Sequence, residues 1–154
     1  MAQLRKLEGE VEVKCSAEML FKMNMAKQPN IPNICSNMCR VEAHQGNWES
    51  VGSTRRWDYI IDGKSEYLIE RIEANDEKNK IIHRSAIDGD IMKTHYKTFS
   101  STLCIIPKGH EFCAVKITLE YEKMSEDAPE PHQLLHFGLA IFKDLARHLT
   151  NNAN

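Results

Sequence analysis

The stretch His132 to Leu149 constrains the fold more than any other part of the sequence. His136, Ala140, Lys143 and Arg147 recur at helical spacing as a solvent stripe, and Leu134, Phe137, Gly138, Ile141 and Leu145 form the facing stripe. Leu135, Leu139 and Phe142 widen the apolar side beyond that of a simple amphipathic helix. At the standard rise such a helix is roughly 27 Å long. A helix this long and this apolar has to be gripped by something large and curved. A seven-stranded antiparallel sheet meets that requirement, so the expected class is α+β.

The preceding residues read as such a sheet. In L-E-G-E-V-E-V-K-C, Leu7, Gly9, Val11, Val13 and Cys15 share one face and charges occupy the other, a half-buried strand. Ser16 is placed to cap a helix that Pro29 and Pro32 close and follow with a second brief turn. From Met38 to Tyr121 the pattern predicts six strands. Asp62-Gly63 is a two-residue hairpin signal, 75–79 a second turn, and Asp88-Gly89 and Pro107 to Gly109 two more. Ser125 to Pro131 is a polar breaker before the long helix. With no repeat, linker or low-complexity tract, one domain over residues 1–154 is expected.

Charge and cysteine usage narrow the function classes. Lys plus Arg number 20 against 22 Asp plus Glu, without the concentrated basic face that nucleic acid requires. No apolar run reaches signal-peptide or membrane-helix length, so a cytoplasmic protein with no membrane insertion is expected. Five cysteines, an odd number with no C-x-x-C, are read as reduced structural thiols. Cys35 and Cys39 have the spacing to face one another on a helix. The expected assembly is a monomer or weak dimer.

Four segments then carry a resemblance: G-N-W-E-S-V-G-S (46–53), W-D-Y-I-I-D-G-K (57–64), D-G-D-I-M-K (88–93) and Y-E-K-M-S-E-D-A-P-E-P (121–131). Together with the order β-αα-β₆-α they resemble the major latex protein branch of the birch pollen allergen (Bet v 1-like, START-like) superfamily, over essentially the whole chain. The resemblance implies a helix-grip fold whose curved sheet wraps the C-terminal helix around an apolar cavity. It also implies uptake of steroids, flavonoids, alkaloids, hormones or fatty acids, in plant defence or stress. The chain departs from the superfamily in two places. The Gly-rich loop of the allergens is reduced to Gly46 and Gly52, and Thr94 to Tyr96 runs a residue longer. Without the glycines, and without Lys-Ser/Thr, the 46–52 loop is expected to shape the cavity rim rather than bind nucleotide.

Strand parity nominates the wall of that cavity. Trp57, Tyr59 and Ile61 alternate with Arg56, Asp58 and Ile60, so the aromatic face is the inner one. A hairpin centred on Glu77 sets Glu70 opposite Arg84 and Ile72 opposite Ile82, and inward isoleucines turn Glu70 and Arg84 inward as well. A cross-strand carboxylate–guanidinium pair offsets the cost of burying either charge alone. It reads either as a structural pair or as the anchor for a hydroxyl, carboxylate or amine on a ligand. The remaining ligand contacts are expected from Tyr67, Phe99, Ser101 and Leu103, from Val115 and Ile117, and from Leu134, Phe137, Gly138, Ile141 and Leu145 on the helix. Ile105 and Leu119 extend the same strand faces. Gly138 in mid-helix costs about 1 kcal/mol against alanine, so it makes room for ligand or sheet.

Recognisable catalytic chemistry is absent from the sequence. His132 and His136 have the spacing of a zinc-protease helix, but Gln133 stands where the basic Glu belongs. Neither a metal nor a cofactor is expected, and Ser100-Ser101 lacks the glycines of a nucleophile elbow. The leading expectation is a non-enzymatic carrier for an apolar small molecule. The alternative is an isomerase or cyclase in which Glu70 or Tyr59 moves a proton, although an adjacent arginine disfavours Glu70 as a base. A third reading makes the 46–52 loop, with Trp48, a protein contact.

Overall fold

Alternation of apolar and charged residues sets the first strand, β1 (Arg5–Val13): Leu7, Val11 and Val13 turn toward the core, while Lys6, Glu8, Glu10 and Glu12 are exposed. The computed structural model describes residues 3–25 and 27–151; residues 1, 2, 26 and 152–154 of the expected domain lie outside the described residues. Helix α1 (Ala17–Met23) starts where Ser16 Oγ accepts the Met19 amide at 3.3 Å. Pro29 lies in a 3₁₀ turn at Gln28–Asn30 and Pro32 in α2 (Ile31–Ile34). Six strands follow: β2 (Met38–Gln45), β3 (Thr54–Ile61), β4 (Lys64–Asp76), β5 (Ile81–Gly89), β6 (Tyr96–Gly109) and β7 (Phe112–Lys123). A short helix α3 (Asp90–Thr94) joins β5 to β6, and α4 (His132–Asn151) ends the fold.

The seven strands form one antiparallel sheet in the order β1-β7-β6-β5-β4-β3-β2. Each strand after β2 pairs with its predecessor, and β1 closes on β7. The segment with α1 and α2 therefore crosses from one sheet edge to the other. Helix α4 packs on β1, β7 and β3 and is met by α1 and α2. Leu135, Phe142, Leu145 and Ala146 are buried on it, and His136, Ala140, Lys143 and Arg147 are exposed. This is the curved sheet gripping a long helix that the apolar breadth of residues 132–149 demanded.

Local chemistry accounts for the differences from expectation. The β4–β5 turn is centred later than Glu77, because the Asp76 carboxylate accepts both the Asn79 amide (3.1 Å) and its side-chain NH₂ (2.8 Å). Asp76 then pairs with Ile81, and a bulge between Ile72 and Ala74 restores the parity. Ile72 consequently stands opposite Arg84, and Glu70 opposite Ala86; the expected Glu70–Arg84 and Ile72–Ile82 pairings do not form. Pro107, which lacks an amide proton, sits in an irregular register rather than in the turn, and β6 runs on to Gly109. Between the Asp88-Gly89 turn and Tyr96, where no element was expected, the chain coils into α3. Cys35 ends α2 and Cys39 lies exposed in β2, so no helix holds both.

Gly89 makes the β5–α3 corner possible. Its φ of 142° and ψ of 170° suit only glycine, and a Cβ there would stand 2.6 Å from the Tyr67 carbonyl oxygen. Gly89→Ala is expected to lose about 2 kcal/mol of stability. Chemical denaturation checks this; a midpoint equal to wild type would show that the corner relaxes freely.

An apolar cavity beneath the long helix

Between the inner sheet face and the first half of α4 lies a cavity of about 160 Å³. Trp57, Tyr59, Glu70, Arg84, Phe99, Ser101, Leu103, Ile117, Leu134, Phe137, Gly138 and Ile141 line it, as does Leu119. Asn24, Ile31, Met38, Leu68 and Phe142 complete the wall and were not nominated from sequence. Inward parity pointed to Leu68, two residues before Glu70. Asn24 and Ile31 come from α1's end and α2, for which no periodic signal exists.

Tyr67, Val115 and Leu145 do not line the cavity. Because Leu68 and Glu70 face inward, Tyr67 faces outward, where the Arg56 guanidinium lies 4.3 Å over its ring and Lys93 Nζ donates to its hydroxyl at 2.6 Å. Val115 and Leu145 are fully buried in close-packed core. The cavity ends at Phe142, about one turn before Leu145, and beyond it α1 closes on α4. Val115 pairs there with Val11 and Ile105, so Ile105 is core as well.

Polar groups gather at one end. Trp57 Nε1 donates to Glu70 Oε1 at 2.7 Å, and Arg84 Nη2 donates to the Asn24 carbonyl at 3.0 Å. Glu70 and Arg84 are thus held by different partners, in place of the direct pair expected. Arg84 Nε is buried with no partner among the described residues. Behind it stands Arg55, 1% exposed, on the inner parity of Trp57 and Tyr59. Its guanidinium donates to Gln28 Oε1 in a short contact and to the Trp48 carbonyl at 3.3 Å. Gln28 Nε2 in turn donates to the Asn24 carbonyl (2.7 Å) and the Trp48 carbonyl (3.3 Å). Burial pushes Arg55 down to about 9, with the like charge of Arg84 adding and Glu70 opposing. Burial also lowers Arg84, again opposed by Glu70. Both guanidiniums remain protonated at neutral pH.

The 46–52 loop does not form the cavity rim: none of its residues lines the wall. Asn47 Oδ1 accepts the Glu49 and Ser50 amides, each at 2.8 Å, and Trp48, half-buried, is tied by its carbonyl to Gln28 and Arg55. At the other side of the cavity the Tyr59 ring packs 5.5 Å from Phe137, and its hydroxyl donates to Glu66 Oε1 at 3.3 Å. Burial, then the Glu66 charge, holds that phenol far above its ordinary range, so it stays protonated. The cysteines are unpaired thiols; burial raises Cys15 to about 11 and Cys35 to about 12. His132 and His136 are exposed, and among the described residues no group of three His, Cys, Asp or Glu is arranged to hold a metal. No helix among them is long and apolar enough to cross a membrane.

Comparison with known proteins agrees with this architecture. Residues 2–152 match the Pathogenesis-related protein Bet v 1 family. MLP-like protein 34 of Arabidopsis thaliana is 37% identical over 145 residues, 93% of this chain, which spans only 46% of that longer relative. Major latex protein 146 of Papaver somniferum is 37% identical over 147 residues, covering 94% of this chain and 90% of that protein. The crystal structure of ginseng major latex-like protein 151 from Panax ginseng superposes with a TM-score of 0.88 at 27% identity, over 94% of this chain and 97% of the other. Norcoclaurine synthase from Thalictrum flavum shares the fold, with a TM-score of 0.71 at 18% identity over 92% of this chain and 86% of the other. The chain therefore belongs to the Bet v 1 family of pathogenesis-related proteins, in its major latex protein branch.

Proposed function

We propose that the chain works as a single cytoplasmic domain that takes up one apolar small molecule beneath α4 and carries or sequesters it. A plant secondary metabolite, steroid, hormone or lipid met in defence or stress fits this reading. The observation that supports it is the cavity wall: mostly aromatic and aliphatic side chains, with Asn24, Glu70, Arg84 and Ser101 the few polar ones beside the Tyr59 hydroxyl. Such a wall gains from burying apolar surface while the polar end orients the guest. The resting volume of about 160 Å³ lies below the roughly 300–1,000 Å³ of drug-sized pockets, which favours a compact guest. Met38 in the wall can adapt its shape to one.

The alternative, an isomerase or cyclase in the same cavity, needs a group that moves a proton near neutral pH. Tyr59 is held protonated and bonded to Glu66, and Glu70 is occupied by the Trp57 indole. Those contacts favour binding over turnover. Titration with an environment-sensitive apolar dye tests the carrier reading. A single saturable site, with one dye per chain and competitive displacement by small apolar metabolites, is expected. Absence of saturable binding would defeat it.

A further inference from the structure

We infer that the molecule held in this cavity bears a carboxylate and that Arg84 binds it; this rests on the carrier reading above and names the chemical class of the guest. Arg84 is 9% exposed and lines the cavity. One of its nitrogens, Nη2, is committed to the Asn24 carbonyl, while Nε is buried without a partner among the described residues. A guanidinium has five N–H donors and no acceptor, so donors left over at a cavity wall call for an acceptor from the guest.

The charges around this end agree. Arg84 and Arg55 supply two positive charges, and Glu70 supplies the one carboxylate that lines the cavity. Arg55 donates to the neutral oxygens of Gln28 and Trp48 and, like Arg84, keeps a buried Nε without a partner among the described residues, but it does not line the cavity; Glu70 Oε1 is taken by the Trp57 indole. Helix α4 contributes only Leu134, Phe137, Gly138, Ile141 and Phe142 to the wall, none of them charged. Among the lining residues Arg84 and Glu70 balance, and Arg55, buried behind the wall, brings the three ionic groups at this end to a net charge of one positive unit in a poorly solvated space. A neutral guest leaves that charge uncompensated, and an ammonium adds a third cation. A carboxylate matches the guanidinium fork with two parallel hydrogen bonds. Ser101, directly across from Arg84 in the β5–β6 register, lines the cavity at the same level and offers a hydroxyl donor.

Octanoate, octan-1-ol and octylammonium test this, because they share one alkyl chain and differ only in the head group. Calorimetric titration of the wild-type protein at pH 7 is expected to rank octanoate at least about tenfold tighter than octanol, with octylammonium weakest. Arg84→Met is expected to weaken octanoate about ten- to a hundredfold and to leave octanol within about twofold. Gln28 still donates to the Asn24 carbonyl, so methionine orphans no acceptor there. The thermal midpoint of the empty variant should hold or rise. Octanol binding as tightly as octanoate, or an Arg84→Met loss shared equally by both, overturns the carboxylate assignment and leaves the carrier reading intact. Failure of all three probes to bind overturns both. The wild-type ranking decides the question even where the variant does not fold.

Discussion

Gln28→Leu is expected to lower stability by about 3 kcal/mol, the largest loss foreseen for a change of nearly constant volume. Gln28 is fully buried, and its Oε1 is the acceptor closest to the Arg55 guanidinium. Leucine would leave a buried cation with only the Trp48 carbonyl and remove the donor that both Asn24 and Trp48 share. Breaking a buried charged contact from one side leaves the remaining charge uncompensated, which costs more than the contact contributes. The double variant Gln28→Leu, Arg55→Met removes that charge and should recover about 1–2 kcal/mol. Urea denaturation of the four proteins measures the cycle. A double variant less stable than Gln28→Leu alone would show that Arg55 acts through packing rather than through its charge.

Gly138→Leu is expected to abolish ligand uptake, at least about a hundredfold in affinity, while leaving the fold intact. Gly138 lines the cavity from mid-helix, and a Cβ built there meets only the tip of Ile117, at 3.0 Å. An isobutyl group would therefore grow into the empty volume, displacing the guest rather than the sheet. Helix propensity moves in favour of the variant by roughly 0.8 kcal/mol, and filling a void adds to that. A thermal midpoint equal to or above wild type, together with lost dye binding, is the expected pair of results. Gly138→Ala, which adds a single methyl, should keep most of the binding. Undiminished binding by the leucine variant would place the guest elsewhere.

The α4 grip was legible because a wide apolar face at helical spacing admits few partners, and the strand faces were legible because period 2 is strict. The same parity, extended two residues back from Trp57, places Arg55 on the inner face, where it is buried. On β4, the odd spacing of Tyr67 from inward Glu70 likewise sets Tyr67 on the outer face. Asn24 and Gln28 were out of reach: Asn24 donates to the Leu20 carbonyl at the end of α1, and Gln28, in a 3₁₀ turn, to the Asn24 carbonyl and to the distant Trp48 carbonyl, contacts that leave no periodic trace. The Glu70–Arg84 pairing failed because one turn residue and one bulge moved the register while preserving the facing. Inward charge could be read from the pattern, but the partner of each charge could not.

The most direct test of the account is native mass spectrometry of the protein recovered from the tissue that makes it, alongside Gly138→Leu expressed in the same tissue. The wild-type chain should carry one small apolar molecule in stoichiometric amount, released on denaturation, and the variant should be empty. An empty wild-type chain, or a variant that retains the same adduct, would contradict the claim that the cavity beneath α4 is where this protein holds its ligand.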